Sequence, residues 1–350
     1  MRCSIVPPYL LARIAEEAPS RELPSAARAA QRALAETGSV HRARAGRRTA
    51  FVADDFGERD RSPRRTISDA ESTETLPGDV VRREGAPASG DPAADEAYDG
   101  LGATFAFYDG ALDRNSIDDR GLPLDATVHY GDEYDNAFWD GSRMVFGDGD
   151  GEVFQRFTVA LSVIGHELTH GVTQFTADLA YSGQSGALNE SVSDVFGALV
   201  EQYRLGQTAD EASWLIGAGL FTDRVEGVAL RSLRSPGTAY DDDLLGKDPQ
   251  PAHFDEYVDT RDDDGGVHIN SGIPNRAFTL AATALGGHAW EGAGRVWYDT
   301  LLRGVPRDCD FATFAGATAR AASARFGSSS LQREAIVDAW RTVGIEPASP

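Results

Sequence analysis

Cysteine is nearly absent from this 350-residue sequence: there are two, Cys3 and Cys309. That excludes a disulfide scaffold and a cysteine-rich zinc cluster. No apolar run reaches the ~18 residues that a membrane-crossing helix needs, so no membrane partner is expected. Positive charge is also short, with 33 Lys and Arg against 55 Asp and Glu, a net charge of -22. A nucleic-acid partner held through its phosphates is therefore not expected. An export signal is missing as well. Met1–Leu11 contains a short apolar run, but Pro7-Pro8 interrupts it and no convincing small-residue cleavage site follows. Cytoplasmic synthesis is expected. The chain then either stays there or is secreted by a route that needs no such signal.

What is present suits a soluble globular protein. The length allows two or three domains, and 41% apolar residues can fill a sizeable core. The charge is unevenly placed. Residues 1–65 hold 13 Arg against 8 acids, and residues 66–350 hold 20 Lys and Arg against 47 acids. Such a change of sign suggests two parts with different jobs. Residues 12–35 are Ala-rich and predict helix broken at Pro19 and Pro24. His41 to Arg65, with Arg47-Arg48 and Arg64-Arg65, reads as an exposed linker open to nicking. Turn signals such as Asp99-Gly100 then recur to about Gly151, and short runs such as 103–108 and 127–130 predict strands. From Phe154 onward the periodicity is helical, over 154–174, 188–205, 273–284, 292–302, 311–326 and 330–342.

One segment stands out: His166-Glu167-Leu168-Thr169-His170. Residues four apart share a helix face, so His166 and His170 can offer two imidazole nitrogens to one metal ion. Glu167 lies beside them, placed to act on a water that the ion polarises. Zinc lowers the pKa of such a water from about 15.7 to roughly 7, where a carboxylate can take its proton. The flanks (Leu161, Val163, Ile164) are apolar, so the helix should be buried and its polar groups need partners. Glu190, in Asn189-Glu190-Ser191-Val192-Ser193-Asp194, supplies a third ligand if the two helices pack antiparallel. Asp194, one turn on, can accept the other N–H of a ligand histidine.

These motifs together resemble the thermolysin-like zinc metalloproteases. Asn136-Ala137-Phe138-Trp139 is similar to the family's edge strand, and Met144–Gly151 to the run that follows it. Gly265–Gly272, containing His268, is similar to its catalytic-histidine segment. The resemblance implies an α+β fold with a β-rich N-terminal domain and an α-helical C-terminal domain, the zinc helix and cleft lying between them. The expected divisions are 1–65 (propeptide and linker), 66–185 and 186–350. It implies one zinc held by His166, His170 and Glu190, with Asp194 behind it. Glu167 is the implied general base. Tyr181 and His268 stabilise the oxyanion, with Asp263 orienting His268. Asn136, Ala137, Trp139 and Arg231 bind substrate main chain. Phe154, Phe157, Val163, Ile216, Leu220 and Leu230 line the pocket for the residue after the scissile bond. Cleavage of protein or peptide substrates before bulky hydrophobic residues follows.

The larger relatives bind calcium with acids near the zinc helix. The matching positions here are Ser162, Ser213, Leu215 and Ala218, with only Glu201 retained, which counts against calcium at that site. The start, Cys3 to Leu11, resembles the short precursor segment of the protealysin-like subgroup. Residues 1–65 are accordingly expected to form an inhibitory propeptide in the cleft, drawn by charge to the acidic enzyme and removed by autocleavage. A separate protein inhibitor is a partner that no residue marks. The competing readings are an aminopeptidase-like hydrolase, whose motif for a substrate amino terminus is missing, and an inactive binding relative, disfavoured by the complete residue set.

Overall fold

The computed structural model describes residues 3–44 and 61–349. Proline opens the first two helices, at positions where its missing N–H costs nothing. These are α1 (Pro8–Glu17) and α2 (Pro24–Arg44), joined by a 3-10 turn over Ala18–Arg21 that contains Pro19. The chain thus breaks where the prolines predict. Helix α2 runs further than expected, taking in His41–Arg44, because Ala and Arg are strong helix formers and continue the turn. The rest of the expected linker up to Asp60, including Arg47 and Arg48, lies outside the described residues.

Six strands form the main sheet: β1 (Cys3–Ser4), β2 (Arg65–Asp69), β3 (Asp79–Arg83), β4 (Leu124–Val128), β5 (Ala137–Trp139) and β6 (Met144–Phe146). Their order is β1-β5-β6-β4-β2-β3. Strand β1 runs antiparallel to β5, Cys3 opposite Trp139 and Ser4 opposite Phe138. The strand expected to be an edge is therefore covered by the chain's own N-terminus.

The run 103–108 is not a strand. It belongs to helix α3 (Pro92–Leu112), whose N-cap Asp91 accepts from the Ala94 N–H and whose first turn holds Pro92. Aromatic residues there favour a strand locally. However, Ala97, Leu101, Thr104, Phe105 and Tyr108 recur at helical spacing and are all buried. Gly100, expected to mark a turn, instead lets α3 approach the next helix. A Cβ there would lie 2.3 Å from Ile164 Cδ1.

The second half is helical: α4 (Leu161–Gln174), α5 (Gly183–Leu205), α6 (Asp263–Asn270), α7 (Gly272–Leu285), α8 (Ala293–Arg303), α9 (Phe311–Phe326) and α10 (Leu331–Thr342). Helix α4 begins later than 154, because Phe154 bridges to Phe221 and 157–159 form a 3-10 turn. Helix α5 begins earlier than 188, so Glu190 stands in its third turn rather than its first. A small hairpin pairs β7 (Leu215–Ile216) with β8 (Arg231–Ser232). Ile5, Val6, Leu10, Leu11 and Ile14 join the sheet and the helices in one continuous apolar core. Among the described residues no helix is long and apolar enough to cross a membrane.

Candidate active site

Helices α4 and α5 create the site by lying close and antiparallel. Gly197 permits this: a Cβ there would sit 2.4 Å from the Ser162 carbonyl oxygen and 2.9 Å from the His166 nitrogen. His166 then faces Asp194, and His170 faces Asn189 and Ser193. His166, Glu167, Glu190 and Asp194 are all fully buried.

Hydrogen bonds fix the imidazole tautomers. His166 Nδ1 lies 2.8 Å from Asp194 Oδ1, an acceptor, so it carries the proton. His170 Nδ1 lies 2.9 Å from Asn189 Oδ1, whose amide nitrogen donates to the Leu179 carbonyl. Both Nε2 atoms therefore present lone pairs, 3.0 Å apart. Glu190 carboxylate oxygens stand 3.5 Å from each, and Oε2 has no hydrogen-bond partner. Three lone-pair donors, all on buried residues, converge within 4.8 Å. Two imidazoles and one carboxylate are a donor set that suits zinc.

Glu167 Oε2 accepts from the Trp139 N–H at 2.9 Å, and Oε1 is buried without a partner. Trp139 thus holds the carboxylate through its main chain, while its indole N–H reaches Gln174. Burial, then the nearby Glu190 charge, raises the Glu167 pKa well above the carboxylate range. Glu190 shifts the other way: burial works against ionisation, but His268, His170 and His166 outweigh it. Burial lowers His170 to about 3, leaving the neutral form a metal requires. Tyr181 donates to Glu190 Oε1, and its oxygen lies 3.3 Å from His268 Nε2.

His268 is buried, contrary to what its Gly-rich segment suggests in isolation. Its Nδ1 lies 2.6 Å from Asp263 Oδ1, and its main-chain N–H donates to Asp263 Oδ2. Burial opposes its charge, but Asp263 and Glu190 raise its pKa to about 9. Asp194 also receives Arg231, whose Nε and Nη2 donate at 2.8–3.1 Å, and the Asn275 amide at 2.9 Å. Burial raises the Asp194 pKa, and Arg231 and His166 overcome this to hold it far below the usual range. Asn275 carried no sequence signal beyond following His268 by two helical turns.

The cleft holds residues 4–6. His268 Nε2 lies 3.1 Å from the Ser4 carbonyl oxygen. The Ile5 N–H donates to the Ala137 carbonyl, and Arg231 Nη1 donates to the Ile5 carbonyl. The Val6 N–H donates to Asn136 Oδ1, and Asn136 Nδ2 donates back to the Val6 carbonyl. Phe154, Val163, Leu230 and Ile5 are all buried in the main apolar core. At the positions where larger relatives bind calcium, Ser162 Oγ accepts from the Gly217 N–H and hydrogen-bonds Glu201.

Comparison with known proteins agrees with this geometry. The family described as thermolysin metallopeptidase, catalytic domain, matches residues 50–174, and its alpha-helical domain matches 177–345. An extracellular metalloprotease of Pectobacterium carotovorum is 52% identical over 345 residues, covering 98% of this chain and 96% of that protein. Thermolysin of Alicyclobacillus acidocaldarius is 37% identical over 74% of this chain and 46% of its own length. The solved precursor of protealysin, a metalloproteinase from Serratia proteamaculans, superposes with a TM-score of 0.88. It is 52% identical and covers 98% of this chain and 99% of its own.

Proposed function

The chain belongs to the thermolysin metallopeptidases, and we propose that it is a one-zinc neutral endopeptidase cutting on the amino side of bulky hydrophobic residues. The observation that carries this is the convergence of His166, His170 and Glu190 lone pairs beside a partnerless Glu167 oxygen. His166, His170 and Glu190 would hold the zinc, which supplies Lewis-acid polarisation of water and carbonyl. Asp194 and Asn189 keep both imidazoles in the ligand tautomer.

The residues divide the remaining work. Glu167 takes a proton from the attacking water and passes it to the leaving amine. The Trp139 N–H keeps its carboxylate turned toward the cleft. His268, charged at neutral pH and backed by Asp263, donates to the developing oxyanion, and Tyr181 does the same. Arg231 binds the carbonyl of the residue after the scissile bond. Ala137 accepts from the N–H of that same residue, and Asn136 holds the main chain beyond it. Phe154, Val163 and Leu230 form the apolar wall that sets the preference.

Residues 1–65 act in this reading as propeptide and linker, ahead of enzyme domains over 66–185 and 186–350. The propeptide blocks the cleft until autocleavage removes it. Calcium at the double site is not part of the reading, since Ser162 and Glu201 satisfy one another there. Secretion is favoured because the Pectobacterium relative is named extracellular. The test is zinc content with casein hydrolysis, with and without a chelator. One zinc per chain and activity that stops on chelation and returns with zinc are expected. Absent zinc or chelator-resistant cleavage would sink the reading.

A further inference from the structure

The N-terminal segment does more than cover the site. Its hydrogen bonds place each main-chain group where the proposed function puts a substrate group. The carbonyl at the His268 donor belongs to Ser4. The residue whose N–H meets Ala137 and whose carbonyl meets Arg231 is Ile5. The residue clamped by Asn136 is Val6. Ile5 is fully buried and belongs to the main apolar core, as do Val163 and Leu230, and its main-chain bonds fix its place. A β-branched aliphatic side chain therefore stands in the position reserved for the residue after the cut. The chain direction agrees, since β1 is antiparallel to β5.

We propose that the Ser4–Ile5 peptide bond is itself a cleavage site, so that the protein trims its own propeptide to begin at Ile5. The inference rests on the protease reading above. The step needs only water. Water adds to the Ser4 carbonyl carbon and loses a proton to Glu167. The Ser4 C–Ile5 N bond breaks, Ile5 keeps the nitrogen and receives that proton from Glu167 as a new amino group, and Ser4 leaves as a carboxylate once its remaining acid proton passes to the amine.

This cut differs from removal of the propeptide. Anchors on the other side of the bond survive it. Val6 stays clamped by Asn136. Arg13 donates to the Leu244 and Asp243 carbonyls, and the Ala26 N–H to Glu152. Arg32 pairs with Asp132 at 2.8 Å. The trimmed segment thus remains seated as a bound product, its new amino terminus at the catalytic centre. Pro7, extended at φ -65°, ψ 147°, joins it stiffly to helix α1.

The experiment reads the N-terminus of the propeptide, bound or released, by intact mass and sequencing. It uses zinc-loaded full chain, the same chain under chelator, and Glu167→Ala, with casein cleavage followed in parallel. Ile5 as the first residue in the zinc-loaded wild type, with Ser4 retained in both controls, is the expected result. Casein cleavage with Ser4 still attached overturns the trimming alone. Failure of both overturns the protease reading and the trimming with it. A second readout needs no turnover. In Glu167→Ala, the Ile5 and Val6 amides are expected to resist hydrogen exchange, and exchange at unfolded-chain rates would overturn the register.

Discussion

At the scale of single residues, charge is managed by pairing one carboxylate with several donors. Asp194 serves His166, Arg231 and Asn275 at once, so one buried anion orients the proposed metal ligand His166 and the proposed substrate-binding Arg231. His129 shows the same economy away from the site. Its Nδ1 lies 2.8 Å from Asp148, and its Nε2 lies 3.2 Å from Asp91, the cap of α3. The hydrogen bond to Asp148, with Asp148 and Asp91 charges added and burial opposing, raises its pKa to about 9. A raised pKa gives stability that is complete below the unfolded value of about 6.5. That stability is lost as pH rises through about 9. Melting temperature is therefore expected to fall between about pH 6 and pH 10, and to fall less in His129→Asn, which tolerates the positive φ at that position. Equal falls would contradict this. The cluster of His166, Glu167, His170, Glu190 and Asp194 was legible in the sequence because two motifs, five and six residues long, carry it within single helices. Asn275 was not legible, since only the packing of α7 against α5 brings it to Asp194.

Elements were read well where periodicity was long and poorly where tertiary contact decided the outcome. Helices α9 and α10 ended as their patterns predict. The 103–108 run did not become a strand, because its neighbours at helical spacing bury against α4. Glycine marks these contacts. Gly100 was read as a turn signal, yet it is a packing position against Ile164. Gly197 matters more, because it sets the spacing between the helix bearing His166 and His170 and the one bearing Glu190. A methyl group there meets backbone, which cannot rotate away. Gly197→Ala is expected to lose about 1–3 kcal/mol of stability from overpacking. It should also hold zinc less tightly in competition with a chelator. Wild-type stability and zinc retention together would show that the helix spacing is not critical.

Over the whole molecule, the split in charge follows the proposed division between propeptide and enzyme. The basic N-terminal helices meet acids of the second part through exposed pairs, Arg28 and Arg32 with Glu133 and Arg21 with Asp243. Such pairs are worth only about 0.2–1 kcal/mol each and are screened by salt. Burial of Ile5, Val6, Leu10, Leu11 and Ile14 carries most of the attachment. Glu133→Lys is thus expected to weaken propeptide retention a few-fold at low salt and much less at high salt, measured by gel filtration of the nicked zymogen. An effect independent of salt would contradict the charge argument. Whether this cleft hydrolyses peptides with Glu167 as the base is decided by turnover of Glu167→Ala at full zinc occupancy. A positioned general base contributes about 10²–10⁴-fold. The variant is expected to keep one zinc per chain and to lose at least about 100-fold in casein turnover. A zinc-loaded variant that still cleaves casein at close to the wild-type rate would contradict that role for Glu167.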